Sequence, residues 1–167
     1  MRSPAELTDA FRAQGLKITP QRQAIFRVLH ENRAHPSADA VYAQVVADLP
    51  SVSLRTVYQT LNDLAAMGEL QALDLGTGAT RFDPNVGDHH HLVCERCGLV
   101  HDVELDIAGL DDQPVATAHG FAVHTTQVVL RGLCERCRLE VPGAVTPTAS
   151  DHPHPHQLDH DKEKHHG

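Results

Sequence analysis

The four cysteines of this 167-residue chain fall as two identical tetrapeptides, Cys94-Glu-Arg-Cys97 and Cys134-Glu-Arg-Cys137. Each sets two thiols on one tight turn, the spacing at which both sulfurs reach a single tetrahedral ion, so two such turns complete the shell of one Zn²⁺. A closed four-thiolate shell has no place for water, which makes it structural rather than catalytic. Two other readings stay open from the residues alone: four free buried thiols, or a redox CxxC, although neither tetrapeptide opens a thioredoxin-like βαβ unit. No stretch approaches the roughly 18 apolar residues that span a bilayer, and the start MRSPAELTDAFRAQG lacks the charged-then-apolar layout of a secretion signal. The expectation is a cytoplasmic chain with no membrane partner, where paired cysteines favour metal over disulfides.

Net charge is −8, but it is unevenly divided. Residues 1–85 hold eight Lys/Arg against nine Asp/Glu, and residues 86–167 hold six against thirteen. Within the first part Arg12, Lys17, Arg22, Arg27 and Arg33 are opposed locally only by Glu31, a basic segment that the acidic total hides. Helical patterns dominate there. Thr19-Pro20 is an N-cap with a first-turn proline before Ile25, Val28 and Leu29. Ser37 caps a segment with Val41, Tyr42, Val45, Val46 and Leu49 at three- and four-residue intervals, ended by Pro50. Ser53 caps a third, with Val57, Leu61 and Leu64 inward, Arg55, Gln59 and Asn62 opposite, and Tyr58 at the edge. Gly68 closes it, and the runs 71–75 and 79–82 flank Gly76-Thr77-Gly78 as a two-stranded wing. Three helices and a hairpin make a winged helix-turn-helix.

The second part turns to β. Leu92-Val93, 99–105 and 121–133 are strand candidates, with a possible helix over 111–119, giving a small α/β unit with a thin core that metal would help to fold. From about Pro142 the chain is polar, proline-rich and carries His152, His154, His156, His160, His165 and His166, the composition of a disordered tail that gathers metal loosely. The expected division is 1–85, 86–140 and a His-rich tail over 141–167.

A second cluster lies at the junction. Asp83, Asp88, His89, His90 and His91 crowd nine residues, and on an extended chain His89 and His91 point to one side. Asp83 and Asp102 are the nearest carboxylates, and His35 lies in the loop before Ser37. Imidazole with carboxylate suits Fe²⁺, Mn²⁺ or Zn²⁺ better than Ca²⁺.

The strings LKITPQRQAIF, HPSADAVY, SLRTVYQTL, DHHHLVCERCG and GLCERC, in that order over roughly residues 4–138, resemble the ferric uptake regulator family of metal-dependent bacterial repressors. The resemblance implies an α+β fold: an N-terminal winged helix-turn-helix domain followed by a small α/β dimerisation domain with structural zinc on Cys94, Cys97, Cys134 and Cys137. It also implies a homodimer on palindromic double-stranded operator DNA, with a regulatory metal between the domains. The chain is most similar to the peroxide-sensing branch, whose three-His, two-Asp regulatory site maps onto His35, Asp83, His89, His91 and Asp102. The iron-sensing branch more usually has Glu at the positions of Asp83 and Asp102. A third site of some iron sensors would need Glu near Gly109, so it is left out.

The expected function is therefore a metal-dependent, DNA-binding transcriptional repressor, peroxide-responsive through Fe²⁺ or Mn²⁺, with Zn²⁺ possible, and not an enzyme. Arg55, Thr56, Tyr58, Gln59 and Asn62 form the reading face of the third helix; Lys17 matches a family position near the minor groove, and Arg22 is expected on a phosphate. The alternatives are an iron-, manganese- or zinc-uptake regulator without peroxide sensing and, from another class, a zinc enzyme or metal buffer. No HExxH or HxE deaminase pattern supports an enzyme.

Overall fold

The computed structural model describes residues 1–76, 78–106, 119–122 and 125–140. Four helices open the chain: α1 (Pro4–Ala13), α2 (Pro20–Leu29), α3 (Ala38–Asp48) and α4 (Leu54–Ala66). The helix α1 is an addition to the three expected. Its start was written in Ser3-Pro4-Ala5-Glu6, where Ser3 and Glu6 cap each other's backbone N–H reciprocally. Thr19, Ser37 and Ser53 each accept a backbone N–H three residues on, so every one of the other three starts has its side-chain cap.

One core unites the helices. Leu7 and Phe11 of α1, Ile25, Phe26 and Leu29 of α2, Val41 and Val45 of α3, and Val57, Leu61 and Leu64 of α4 are buried together, with Phe11 and Phe26 edge-to-face at 4.9 Å. At about 1.5–3 kcal/mol for each large apolar side chain, this cluster supplies most of the burial energy of the helical part. The wing follows: β1 (Gln71–Leu73) and β2 (Arg81–Asp83) pair antiparallel, Ala72 opposite Phe82. The Phe82 N–H also donates to the Pro36 carbonyl, and Ser37 bridges Arg81, so the wing's second strand is stitched to the loop before α3.

A three-stranded sheet comes next, β3 (His90–Cys94) at its centre, antiparallel to β4 (Val100–Val103) and parallel to β5 (Val129–Gly132). The strand expected over 121–133 is thus confined, among the described residues, to its last third. Its parallel partner β3 offers only His91–Cys94 for pairing. The short helix α5 (Glu135–Leu139), also unforeseen, carries Cys137 inward. The small second core holds Leu73, Leu75, Val93 and Val100, with Val129 against it. Leu73 and Leu75 leave the wing to join it, and the Arg131 guanidinium donates to the Leu75 carbonyl, so wing and sheet share side chains. Most of the expected helix at 111–119 and all of the expected tail over 141–167 lie outside the described residues. Among the described residues no helix is long and apolar enough to cross a membrane.

Candidate metal centres and nucleic-acid interface

The thiol cluster is built by two turns at one end of the sheet. After β3 the chain turns back through Gly98, whose positive φ of 68° lets its N–H reach the Cys94 carbonyl. Cys134 precedes α5, and its N–H donates to Cys94 Sγ at 3.3 Å, tying the two tetrapeptides together. One sulfur from each of the four lies within 4.8 Å of the others, and Cys97 and Cys134 are 3.7 Å apart with no disulfide. Sulfurs about 2.3 Å from a tetrahedral Zn²⁺ stand about 3.8 Å from each other, so the donor set fits that ion. Backbone N–H groups of Cys134 and Cys97 hold the Cys94 thiol down at about 6, whereas burial and the neighbouring thiols push Cys137 up to about 12. Bringing all four to thiolates, Cys137 included, would take a cation among them.

The second cluster is assembled from four places. His35 stands in the loop before α3 with φ at +46°, an uncommon conformation for a non-glycine residue, and directly before Pro36. The strain is held by the wing, through the Phe82-to-Pro36 hydrogen bond and the Ser37 bridge. Asp83 ends β2, His89 and His91 flank the start of β3, and Asp102 lies opposite His91 in the β3–β4 register. Five donor atoms, one from each residue, lie within 4.8 Å of one another. His35 Nε2 is 2.6 Å from Asp102 Oδ1 and 3.6 Å from Asp83 Oδ2; His89 Nε2 is 2.8 Å from Asp83 Oδ2; and the Nε2 atoms of His89 and His91 are 3.0 Å apart.

These are not ordinary ion pairs. His35 Nε2 and Asp83 Oδ2 are buried, and despite the short separations neither makes an aligned hydrogen bond. The two facing imidazole nitrogens of His89 and His91 can share at most one proton between them. Donor atoms that converge on one point without satisfying each other fit a cation, which at about 2.1 Å from each ligand would set neighbouring donors about 3 Å apart. His89 Nδ1 lies 2.7 Å from the Gly87 carbonyl; donating there leaves its Nε2 lone pair directed inward.

Protonation follows the same geometry. Burial would lower the His35 pKa, but the adjacent carboxylates of Asp83 and Asp102 outweigh it and raise it. Burial would raise Asp83; the His35 imidazole and the Asn85 N–H outweigh that and hold it below the usual carboxylate value. For His91, burial and the charges of His89 and His35 act together, and its pKa is lowered.

On α4, Arg55, Tyr58, Gln59 and Asn62 are exposed along one face, Tyr58 at 43 %, while Val57, Leu61 and Leu64 face the core. Thr56 is half-buried, its hydroxyl 2.9 Å from that of the capping Ser53. Lys17 is exposed between α1 and α2. Arg22 corrects an expectation. Its guanidinium is buried, pairs with Asp63 at 2.6 Å, donates to the Lys17 carbonyl and lies 5.2 Å from the centre of the Phe11 ring, so it braces α1, α2 and α4 and is not free for a phosphate. Sequence reasoning also passed over Asn85, which hydrogen-bonds both carboxylates of the second cluster. Its signal was Asp83-Pro84-Asn85, an Asx-turn pattern.

The sequence pattern of the Ferric uptake regulator family matches residues 13–131. The chain is 35% identical over 134 residues to the peroxide operon regulator of Bacillus subtilis, covering 79% of this chain and 91% of that one. Among solved structures it is similar to the peroxide stress regulator of Campylobacter jejuni, at 26% identity and a TM-score of 0.59, covering 82% of this chain and all of that one. It is similar too to the Vibrio cholerae ferric uptake regulator, at 29% identity and a TM-score of 0.64, over 75% of this chain and 98% of that one. The chain belongs to the ferric uptake regulator family.

Proposed function

From that membership we propose that the protein is a metal-dependent transcriptional repressor that binds palindromic operator DNA as a homodimer and responds to peroxide. In this reading residues 1–85 bind DNA, residues 86–140 dimerise and hold metal, and the protein works in the cytoplasm. Zn²⁺ on Cys94, Cys97, Cys134 and Cys137 is structural. Fe²⁺ or Mn²⁺ on His35, Asp83, His89, His91 and Asp102 is regulatory.

The observation that carries the reading is where those five donors come from. His35 belongs to the helical part, Asp83 to the wing, and His89, His91 and Asp102 to the sheet. A bound cation offsets the mutual repulsion of the donors only when the helical part and the sheet are brought together, so cation binding and the arrangement of the winged helices are coupled. On a dimer the separation of two α4 helices must match two half-sites, and whatever favours the matching arrangement raises DNA affinity without touching DNA. The exposed face of Arg55, Tyr58, Gln59 and Asn62, with Thr56 and Lys17, supplies base and phosphate contacts.

Iron(II) at the regulatory site would supply a centre that reacts with peroxide, which manganese(II) would not. The names of the peroxide regulators among the relatives support this choice over a plain uptake regulator. The test is DNA affinity on a palindromic duplex with the zinc-loaded protein, each ion in turn, with and without peroxide. Repression-competent binding with both ions, lost to peroxide only with Fe²⁺, is expected; loss with neither ion makes it an uptake regulator instead.

A further inference from the structure

Four hydrogen bonds meet on Asn85 at the rim of the five-donor cluster: its carbonyl accepts from Gln71 Nε2 of the wing at 3.3 Å, and the other three face the cluster. Its backbone N–H donates to Asp83 Oδ1 at 2.8 Å, its carboxamide Nδ2 donates to Asp102 Oδ2 at 3.0 Å, and its Oδ1 accepts the Gly87 N–H at 3.3 Å. The Gly87 carbonyl in turn lies against His89 Nδ1. Three of the five donor residues are therefore oriented through residues 85–87. In both carboxylates it is the other oxygen, Oδ2 of Asp83 and Oδ1 of Asp102, that faces the imidazole nitrogens.

We propose that Asn85 is a positioning residue that holds both carboxylates to one inward oxygen each, fixing the regulatory donor set at three nitrogens and two oxygens. The inference rests on the regulatory-site reading above. A carboxylate whose outer oxygen is free can rotate to offer both oxygens, the mode that large, oxygen-seeking cations such as Ca²⁺ exploit. Pinning the outer oxygens removes that mode, and five single donors leave a six-coordinate ion one position not filled by the protein. Asp102 depends on this most. Its side chain is 29 % exposed, against 2 % for Asp83, and Asn85, His89 and Asp102 together line a cavity of about 950 Å³. The Asp83 contact uses the backbone of Asn85 and survives substitution, whereas the Asp102 contact uses the side chain and does not.

The test uses the full-length protein with zinc kept on the thiols and Co²⁺ as the probe of the second site. Asn85→Leu keeps the volume and removes the donor. It should retain zinc and helical content yet bind Co²⁺ about 10–100-fold more weakly, as outer-shell substitutions do. Its visible ligand-field absorption should weaken as Asp102 becomes free to supply a sixth donor. In an Asp102→Ala background the same substitution should change affinity by about threefold or less, because its carboxylate target is gone and only the Gly87 contact is left to lose. Wild-type affinity and spectrum in Asn85→Leu would overturn the assignment, as would an undiminished loss in the Asp102→Ala background. If wild-type protein gives no Co²⁺ absorption that His91→Ala abolishes, the regulatory-site reading itself falls, and this inference with it.

Discussion

The thiol cluster and the imidazole–carboxylate cluster are both sets of converging metal donors, but they are assembled in opposite ways. Four thiols come from two turns at the same end of one sheet, within a part of the chain whose apolar core is only a handful of residues. Five imidazoles and carboxylates come from a strained loop, a wing and two strands, so their convergence depends on parts of the chain that also pack separately. The first arrangement suits an ion that holds one unit together and never leaves. The second suits an ion that reports on, and biases, how two units are arranged.

The largest effect should come from the thiols. On the proposed reading, Cys94→Ser and Cys137→Ser are each expected to abolish stoichiometric zinc, measured by elemental analysis, and to dissociate the proposed dimer in size-exclusion chromatography with light scattering, since a second core this thin would depend on the metal. Retention of zinc and dimer in both variants would erase the contrast between the clusters. His89→Ala and Asp102→Ala sharpen it from the other side: both should stay folded, zinc-loaded and dimeric while binding the regulatory ion at least about 100-fold more weakly, beyond the usual cost of an outer-shell change. Isothermal titration with Mn²⁺ in the zinc-loaded variants checks this.

A smaller effect concerns pH. With its pKa raised, metal-free His35 contributes stability that is fully present below the ordinary imidazole value of about 6.5 and is lost as pH rises through its folded value. Asp83, held low, contributes above its ordinary value and loses that contribution as pH falls through its depressed one. An incoming cation must displace the His35 proton, while His91, lowered, has already shed its own. Mn²⁺ affinity should therefore climb by up to about tenfold per pH unit from near pH 6.5 until His35 is neutral, and then level off. A flat affinity across that window would remove His35 from the ligand set.

The smallest effects separate two basic residues that look alike in the sequence. Arg22→Ala should lower thermal stability by about 1–3 kcal/mol, through the stranded Asp63 carboxylate, and leave the salt dependence of DNA binding unchanged. Lys17→Ala should do the reverse, keeping the melting temperature and reducing the slope of log affinity against log salt by about one.

That pair shows what a local reading reaches. Caps and breakers are local chemistry, so Thr19, Ser37 and Ser53 announced three helices, and the CxxC spacing announced the thiol cluster. Ser3 and Glu6, three residues apart ahead of α1, form an equally local capping box. Other features depend on partners far along the chain. Arg22 is paired with a residue 41 positions away, and Asn85 with one 17 away, so charge and polarity alone could not distinguish a brace or a clamp from a surface contact. Among the described residues β5 pairs only over Val129–Gly132, against His91–Cys94 of β3, a partner the sequence of residues 121–133 does not name. The five residues expected at the second cluster do come together, but the positive φ at His35 and the hydrogen bonds at Asn85 that orient them are visible only in three dimensions.

On the proposed reading one cation, bridging the helical part and the sheet, raises DNA affinity. Fluorescence anisotropy on a palindromic operator duplex, with zinc-loaded protein in buffered free Mn²⁺, tests it directly when wild type is compared with His35→Ala, which removes only the donor supplied by the helical part. Wild type should gain at least about tenfold in affinity at saturating Mn²⁺, a coupling of about 1.4 kcal/mol or more, and His35→Ala should gain almost none. Equal affinity of the wild-type protein with and without Mn²⁺, or a full gain in His35→Ala, would contradict it.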